Sequence, residues 1–187
     1  MINDKQGQML LKMARAGIAE ELGLPGDSPQ IDLNHSFLDV KQGLFVTLHK
    51  NGALRGCIGV MEPVEPLKTG VGKTAKLAAF KDSRFPPLAG DEFDQVELEI
   101  SLLSLPEKFE YSTAKELVQG LVPFKDGVII KKGSKQATFL PQVWEQLPDV
   151  DSFLSHLCIK AGLDADEWIK GDLIVHTYRV HSFCETR

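Results

Sequence analysis

A chain of 187 residues with a formal net charge of -5 and 43% hydrophobic residues has the make-up of an ordinary globular protein, long enough to bury a core without disulfide help. The acidic balance argues against a general nucleic-acid binder, and no run reaches the roughly 18 apolar residues of a membrane span. Three widely spaced cysteines without CxxC spacing, and no basic-then-apolar leader in MINDKQGQML, point to a reduced, cytoplasmic protein with no membrane partner.

Residues 4–23 carry Met9, Met13, Ala16 and Leu22 near helical spacing, with Asp4 as the expected cap and Gly23 as the stop. Residues 25–43 are rich in turn formers and read as an irregular connection, with His35 a solvated loop residue. Two strand-like runs then flank Asn51-Gly52, a pair suited to a type I′ turn because both central positions need positive φ. A two-residue loop sets Lys50 opposite Ala53, Leu48 opposite Arg55 and Val46 opposite Cys57, so that Arg55 and Cys57 share a face. Phe45, Thr47 and His49 then lie opposite Ile58, Gly56 and Leu54 on the other face. A bulge at Gly56 would instead send Arg55 to the opposite face from Cys57.

A helix opens near Pro66, presents Leu67, Val71, Ala75, Ala78 and Ala79 on a small-residue face, and stops before Pro86-Pro87. Gly70 and Gly72 each weaken it by about 1 kcal/mol relative to alanine, and the Gly-Val-Gly-Lys-Thr run there lacks the upstream glycine and strand of a phosphate loop. From Val96 to Ser104, Val96, Leu98, Ile100 and Leu102 alternate with Glu97, Glu99 and Ser101, the pattern of a strand covered on one face. Thr113 to Glu116 has the form of a capping box for a short helix ending near Leu121.

A second hairpin, 127–131 with 136–140, turns at Lys132-Gly133-Ser134-Lys135. With Lys125 and Lys131 its tip is basic; a solvated cluster is the plain reading and a phosphate or RNA contact the sharper one. A helical turn over 141–147 precedes a helix over 149–161 whose stripe buries Cys158 and leaves His156 exposed. Residues 172–183 form one long β run with His176 and His181 on opposite faces, which disfavours a shared metal site.

No HxxxH, HExxH or paired-cysteine spacing suggests zinc, and no resident cofactor is expected. The most reactive pair is Cys57 beside Arg55: a thiolate is a nucleophile and a neighbouring guanidinium favours it. Such a thiol needs an acid or base, for which His49, His176 and Glu99 are candidates. The plainer alternative buries Cys57 as a small apolar residue and pairs Arg55 with Glu97 or Glu99.

LRGCIG at 54–59, after FVTLHKNG, resembles the signature of the AMMECR family. The resemblance continues through AAFKDSRFPPL at 78–88, ELEISLLSLPE at 97–107, GVIIKKGSKQATFLPQVWEQLPD at 127–149 and FLSHLCIKAGL at 153–163. It implies a single family domain over 1–187 with an α+β fold, mainly antiparallel sheet flanked by helices, in a larger and a smaller subdomain. It further implies similarity to the first component of the AmmeMemoRadiSam system, with Memo-like and radical-SAM proteins as partners. The resemblance implies an active or recognition site at the signature, which here nominates Leu54, Arg55, Gly56, Cys57, Ile58 and Gly59, with Asp82, Arg84 and Phe85 from the second motif; among these Cys57 and Arg55 are the expected catalytic residues. Gly56, Asp82, Arg84 and Glu99 are expected to bind a small anionic substrate. The competing reading is a scaffold that docks a Memo-like partner, with the signature serving as a packing device.

Overall fold

The computed structural model describes residues 2–24, 32–62 and 65–185. The elements run α1 (Asp4–Glu21), β1 (Leu44–Lys50), β2 (Ala53–Val60), α2 (Leu67–Phe80), β3 (Val96–Leu103), β4 (Glu107–Phe109), α3 (Ala114–Gly120), β5 (Gly127–Lys132), β6 (Lys135–Phe139), α4 (Val150–Lys160), β7 (Ile174–Tyr178) and β8 (Val180–Cys184). Short 3-10 turns lie between some of them, including Gly90–Gln95 before β3. This is an α+β fold with two antiparallel four-stranded sheets, in the orders β2-β1-β3-β8 and β4-β7-β5-β6. The chain divides into two units, Met1–Leu103 with His181–Arg187, and Ser104–Val180.

In the first unit, α1 and α2 cover one face of the sheet. Val46 and Leu48 of β1 and Leu98 and Ile100 of β3 pack with Leu10, Leu11, Ile18, Val71, Ala75 and Ala78. The small-residue face expected of α2 is the buried one, and it lets the helix approach closely. Of the residues expected on the α1 stripe, Met13 is buried and Met9 and Leu22 pack partly buried against the core, but the buried face of the helix runs mainly through Gly7, Leu10, Leu11, Ala14 and Ile18. Its cap is Asn3, whose side chain accepts from the Gln6 amide while Gln6 bonds back to Asn3. Asp4 therefore sits in the first turn, where a negative charge meets the helix dipole.

The Asn51-Gly52 hairpin forms as read, with φ of 52° and 75° at the two turn residues. Its register does not follow the simple alternation. Lys50 pairs with Ala53 and His49 with Leu54, but Leu48 pairs with Gly56, leaving Arg55 as the extra residue of a bulge. Cys57 consequently faces Thr47, not Val46, and Leu48 faces Gly56, not Arg55. Packing against α2 accounts for this register. A Cβ on Gly56 would stand 2.3 Å from the Ala78 carbonyl oxygen, so the residue beneath the helix has to be glycine.

The second unit is built on a Trp144–Phe153 stack with ring centroids 3.6 Å apart, joined by Phe139 edge-on, Val128, Ile130, Leu157 and Cys158. Cys158 is fully buried and His156 exposed, as their helical spacing implies. Residues 172–183 are two strands instead of one run. The break falls at Arg179, whose amide donates to Ser104 Oγ, whose carbonyl accepts from the Ser104 amide, and whose side chain pairs with Asp126 at 2.8 Å. His176 lies in the second sheet, whereas His181 lies in the first.

The clearance at Gly56 makes a direct prediction. Gly56→Ala should lower stability by about 2 kcal/mol through overpacking against the α2 backbone. Gly90→Ala, where an added Cβ meets nothing within 4 Å, should leave the urea midpoint unchanged. Equal midpoints for the two variants would contradict the packing argument.

Candidate functional site

β2 is an edge strand, and the segment after α2 folds back along it. The helix ends at Phe80, the Phe85 amide donates to the Asp82 carbonyl at 3.1 Å, and the Leu88 amide returns to the Ala79 carbonyl at 2.9 Å. Pro86-Pro87 keeps this segment from continuing the helix. The turn aims Asp82 at the strand, where its carboxylate accepts from the Cys57 amide at 2.9 Å. The same carboxylate accepts from the Arg84 amide at 3.1 Å, from Nε at 2.9 Å and from Nη2 at 2.6 Å. Arg84 Nη2 also donates to the Cys57 carbonyl at 3.1 Å, and the guanidinium lies over the Phe85 ring. The Asp82 side chain is only 4% exposed, while that of Arg84 is 54% exposed. Arg84's hydrogen bonds hold the Asp82 carboxyl well below the usual carboxylate range against the opposing effect of burial, and Asp82 in turn raises the Arg84 pKa.

Cys57 thus directs both its N–H and its C=O outward to Asp82 and Arg84, which makes Thr47–Cys57 a pair without mutual backbone bonds. In such pairs the side chains come closest. Thr47 Oγ1 accordingly lies 3.2 Å from Cys57 Sγ. Cys57 is half-buried on the sheet face turned away from the helices. Thr47 is also the register partner of Glu99 on β3. Glu99 Oε1 accepts from Ser101 Oγ at 3.1 Å, Ser101 meets Ser182 of β8 at 2.9 Å, and His49 Nε2 lies 3.7 Å from Glu99 Oε2. Burial, with a smaller push from Glu99, raises the Cys184 thiol pKa. A polar face therefore spans all four strands.

Of the residues expected to act together, Cys57, Asp82 and Arg84 meet at one corner, and Glu99 and His49 lie on the same face as Cys57. His176 belongs to the other unit. Gly56 turns to the helix side. Arg55 is placed differently from either reading of its sequence context. Its partner is Glu92, not Glu97 or Glu99, through Nε at 3.2 Å and Nη2 at 2.8 Å, and Nη1 caps the Pro86 carbonyl at 2.9 Å. Lys50 and the Ala89 amide also reach Glu92, and Arg55 first, then Lys50, pull its pKa down to about 2. Thr47, Ser101 and Ser182 carried no motif. An unbulged register places Thr47 on the other face, and Ser182 is a neighbour only through the return of β8.

Two of the four lysines at the basic tip of the second hairpin are engaged: Lys132 pairs with Glu167 and Asp172, and Lys135 caps the Gly162 carbonyl at the end of α4. Among the described residues no group of three or more metal-ligating side chains is assembled, and no helix is long and apolar enough to cross a membrane.

The AMMECR1 family model matches residues 11–183. The chain belongs to the AMMECR1 family. A protein of Saccharolobus islandicus is 37% identical over 195 residues, covering 100% of this chain and 84% of the relative. Protein MJ0810 of Methanocaldococcus jannaschii is 36% identical over 184 residues, covering 97% and 90%. The crystal structure of the uncharacterized protein PH0010 from Pyrococcus horikoshii is similar at 35% identity with a TM-score of 0.79, over 98% of this chain and 93% of that one. In this AMMECR1-family chain, the LRGCIG run at 54–59 divides between the two faces of β2, with Gly56 under the helix and Cys57 on the polar side.

The Arg55–Glu92 clamp predicts an acid-dependent stability. A carboxyl whose folded pKa is about 2 against an ordinary 4.5 contributes fully above the ordinary value and loses that contribution as pH falls toward about 2. Glu92→Gln should be less stable than the parent near neutral pH, and the gap should close on acidification, as read by urea unfolding. A gap that does not change with pH would contradict the clamp.

Proposed function

We propose that the protein is an enzyme, or the substrate-handling component of an enzyme system, in which Cys57 supplies a nucleophilic or redox thiol to a small anionic substrate. The observation that carries this reading is a half-buried sulfur on a polar face, bonded to Thr47, with the exposed guanidinium of Arg84 fixed to its own backbone carbonyl. Arg84 Nε and Nη2 are used by Asp82 and Cys57, which leaves Nη1 available to an incoming group; a guanidinium suits carboxylate or phosphate. Asp82 positions both partners. Arg55 acts as a positioning residue, clamping 86–92 against the strand through Glu92. Glu99 is the acid–base candidate on the same face, with His49 beside it.

A second reading is a docking module for a Memo-like or radical-SAM partner, favoured by the role of Gly56 and Gly59 as packing residues. A Cβ on Gly59 would meet the Phe45 ring at 2.3 Å. In that case Cys57→Ser retains cellular function while surface changes abolish it.

Alkylation, followed residue by residue by mass spectrometry, tests the thiol role. Cys57 should react in the folded protein at or below about pH 9, while buried Cys158 stays unmodified. A Cys57 that is inert up to that pH would sink the catalytic reading. Arg84→Gln should lower the Cys57 rate with iodoacetate, relative to that with neutral iodoacetamide, by about threefold to tenfold. An unchanged ratio would remove Arg84 as the anion contact.

A further inference from the structure

We propose that the substrate is a zwitterion lying across the strands over Cys57, with its anionic group on Arg84 and an ammonium group on Glu99. The inference rests on the reading of Cys57 and Arg84 above and adds a second point of recognition at the far end of the same face.

The register carries the argument. Cys57, Thr47 and Glu99 are successive partners on β2, β1 and β3, so their side chains stand in one row transverse to the strands. Arg84 extends that row beyond the β2 edge. The two ends differ in charge, and each has capacity left over. At the outer end, Arg84 Nη1 has no acceptor among the described residues. At the inner end, Glu99 has no lysine or arginine in an ion pair with it among the described residues.

Its nearest basic group is the His49 imidazole, whose Nε2 at 3.7 Å lies outside hydrogen-bond range of Oε2. Glu97, the register partner of His49 on the same face, adds a second negative charge. The carboxylate of Glu99 is also held in place. The single Ser101 proton goes to Oε1, so Ser182 donates to Ser101; the Cys184 thiol also bonds the carboxylate, and none of these neutral groups compensates its charge. The Thr47 hydroxyl donates to Cys57 Sγ, and its lone pairs stay available to an ammonium placed between it and Glu99.

The two spacings from β2 to β3 amount to roughly 10 Å, which sets the scale for the separation of the ligand's charges. A simple anion satisfies Arg84 and leaves the carboxylates uncompensated, and a dianion meets their repulsion. A molecule with opposite charges at its two ends satisfies both and brings its middle to the sulfur.

Isothermal titration calorimetry on the full chain tests this with an eight-carbon ω-amino acid, octanoate and octylamine. The ω-amino acid should bind at least about tenfold tighter than either singly charged ligand. Glu99→Gln should reduce it to the level of octanoate, and Arg84→Gln to that of octylamine. Equal affinities, no binding, or a preference that survives Glu99→Gln would overturn the proposal. The preference persisting in Cys57→Ser would uphold it independently of thiol chemistry. An inert Cys57 beside an intact preference would therefore overturn the catalytic reading and leave the recognition standing.

Discussion

One buried carboxylate organises the corner on which the rest depends. Asp82 takes four donors, one from the edge strand and three from Arg84, and in doing so it ties the end of α2 to β2 at Cys57. A buried carboxylate without such partners would be strongly unfavourable, so the turn, the strand edge and the guanidinium are held in mutually dependent positions. The arrangement also occupies the backbone groups of Cys57 that an edge strand would otherwise offer to another chain. The same bonds that protect the edge place a cation beside a thiol.

The signature residues divide their roles by face. Gly56 and Gly59 give clearance, one to the Ala78 carbonyl of α2 and the other to the Phe45 ring, and any side chain there would displace helix or aromatic. Arg55 occupies the bulge and reaches sideways to Glu92, so it organises the 86–92 segment. Cys57 alone of the four turns its side chain to the polar row. Packing glycines and a half-buried thiol are therefore both present in six residues, and the bulge is what allows them to coexist on one strand.

Much of this fold was legible because local chemistry dictates it. Asn51-Gly52 fixed the hairpin through its φ values, the small residues of α2 announced a buried face, and the alternation from Val96 to Ser104 separated core from surface on β3. The bulge was not legible in detail. Alternation cannot distinguish an uninterrupted strand from one with a residue inserted before Cys57, and that difference decides whether Val46 or Thr47 meets the sulfur. Long-range pairs were hidden for another reason: Glu92 for Arg55 and Ser182 for Ser101 are set by how segments return in space, and neither lies in a motif. The single run expected over 172–183 failed similarly, because the pairing of Arg179 with Ser104 and Asp126 spans most of a unit. The run at 54–59 drew attention to β2, and only the three-dimensional register shows which of its side chains meet the polar face.

Asp82 holds Arg84 beside Cys57, and the anion contact depends on that bond. The most direct test is the alkylation selectivity of Cys57 in Asp82→Ala, with Cys184 in the same sample as the exposed control and unmodified Cys158 as the sign of an intact fold. The account predicts that the preference of Cys57 for iodoacetate over iodoacetamide collapses while Cys184 is unaffected. A preference unchanged by loss of the carboxylate would contradict it.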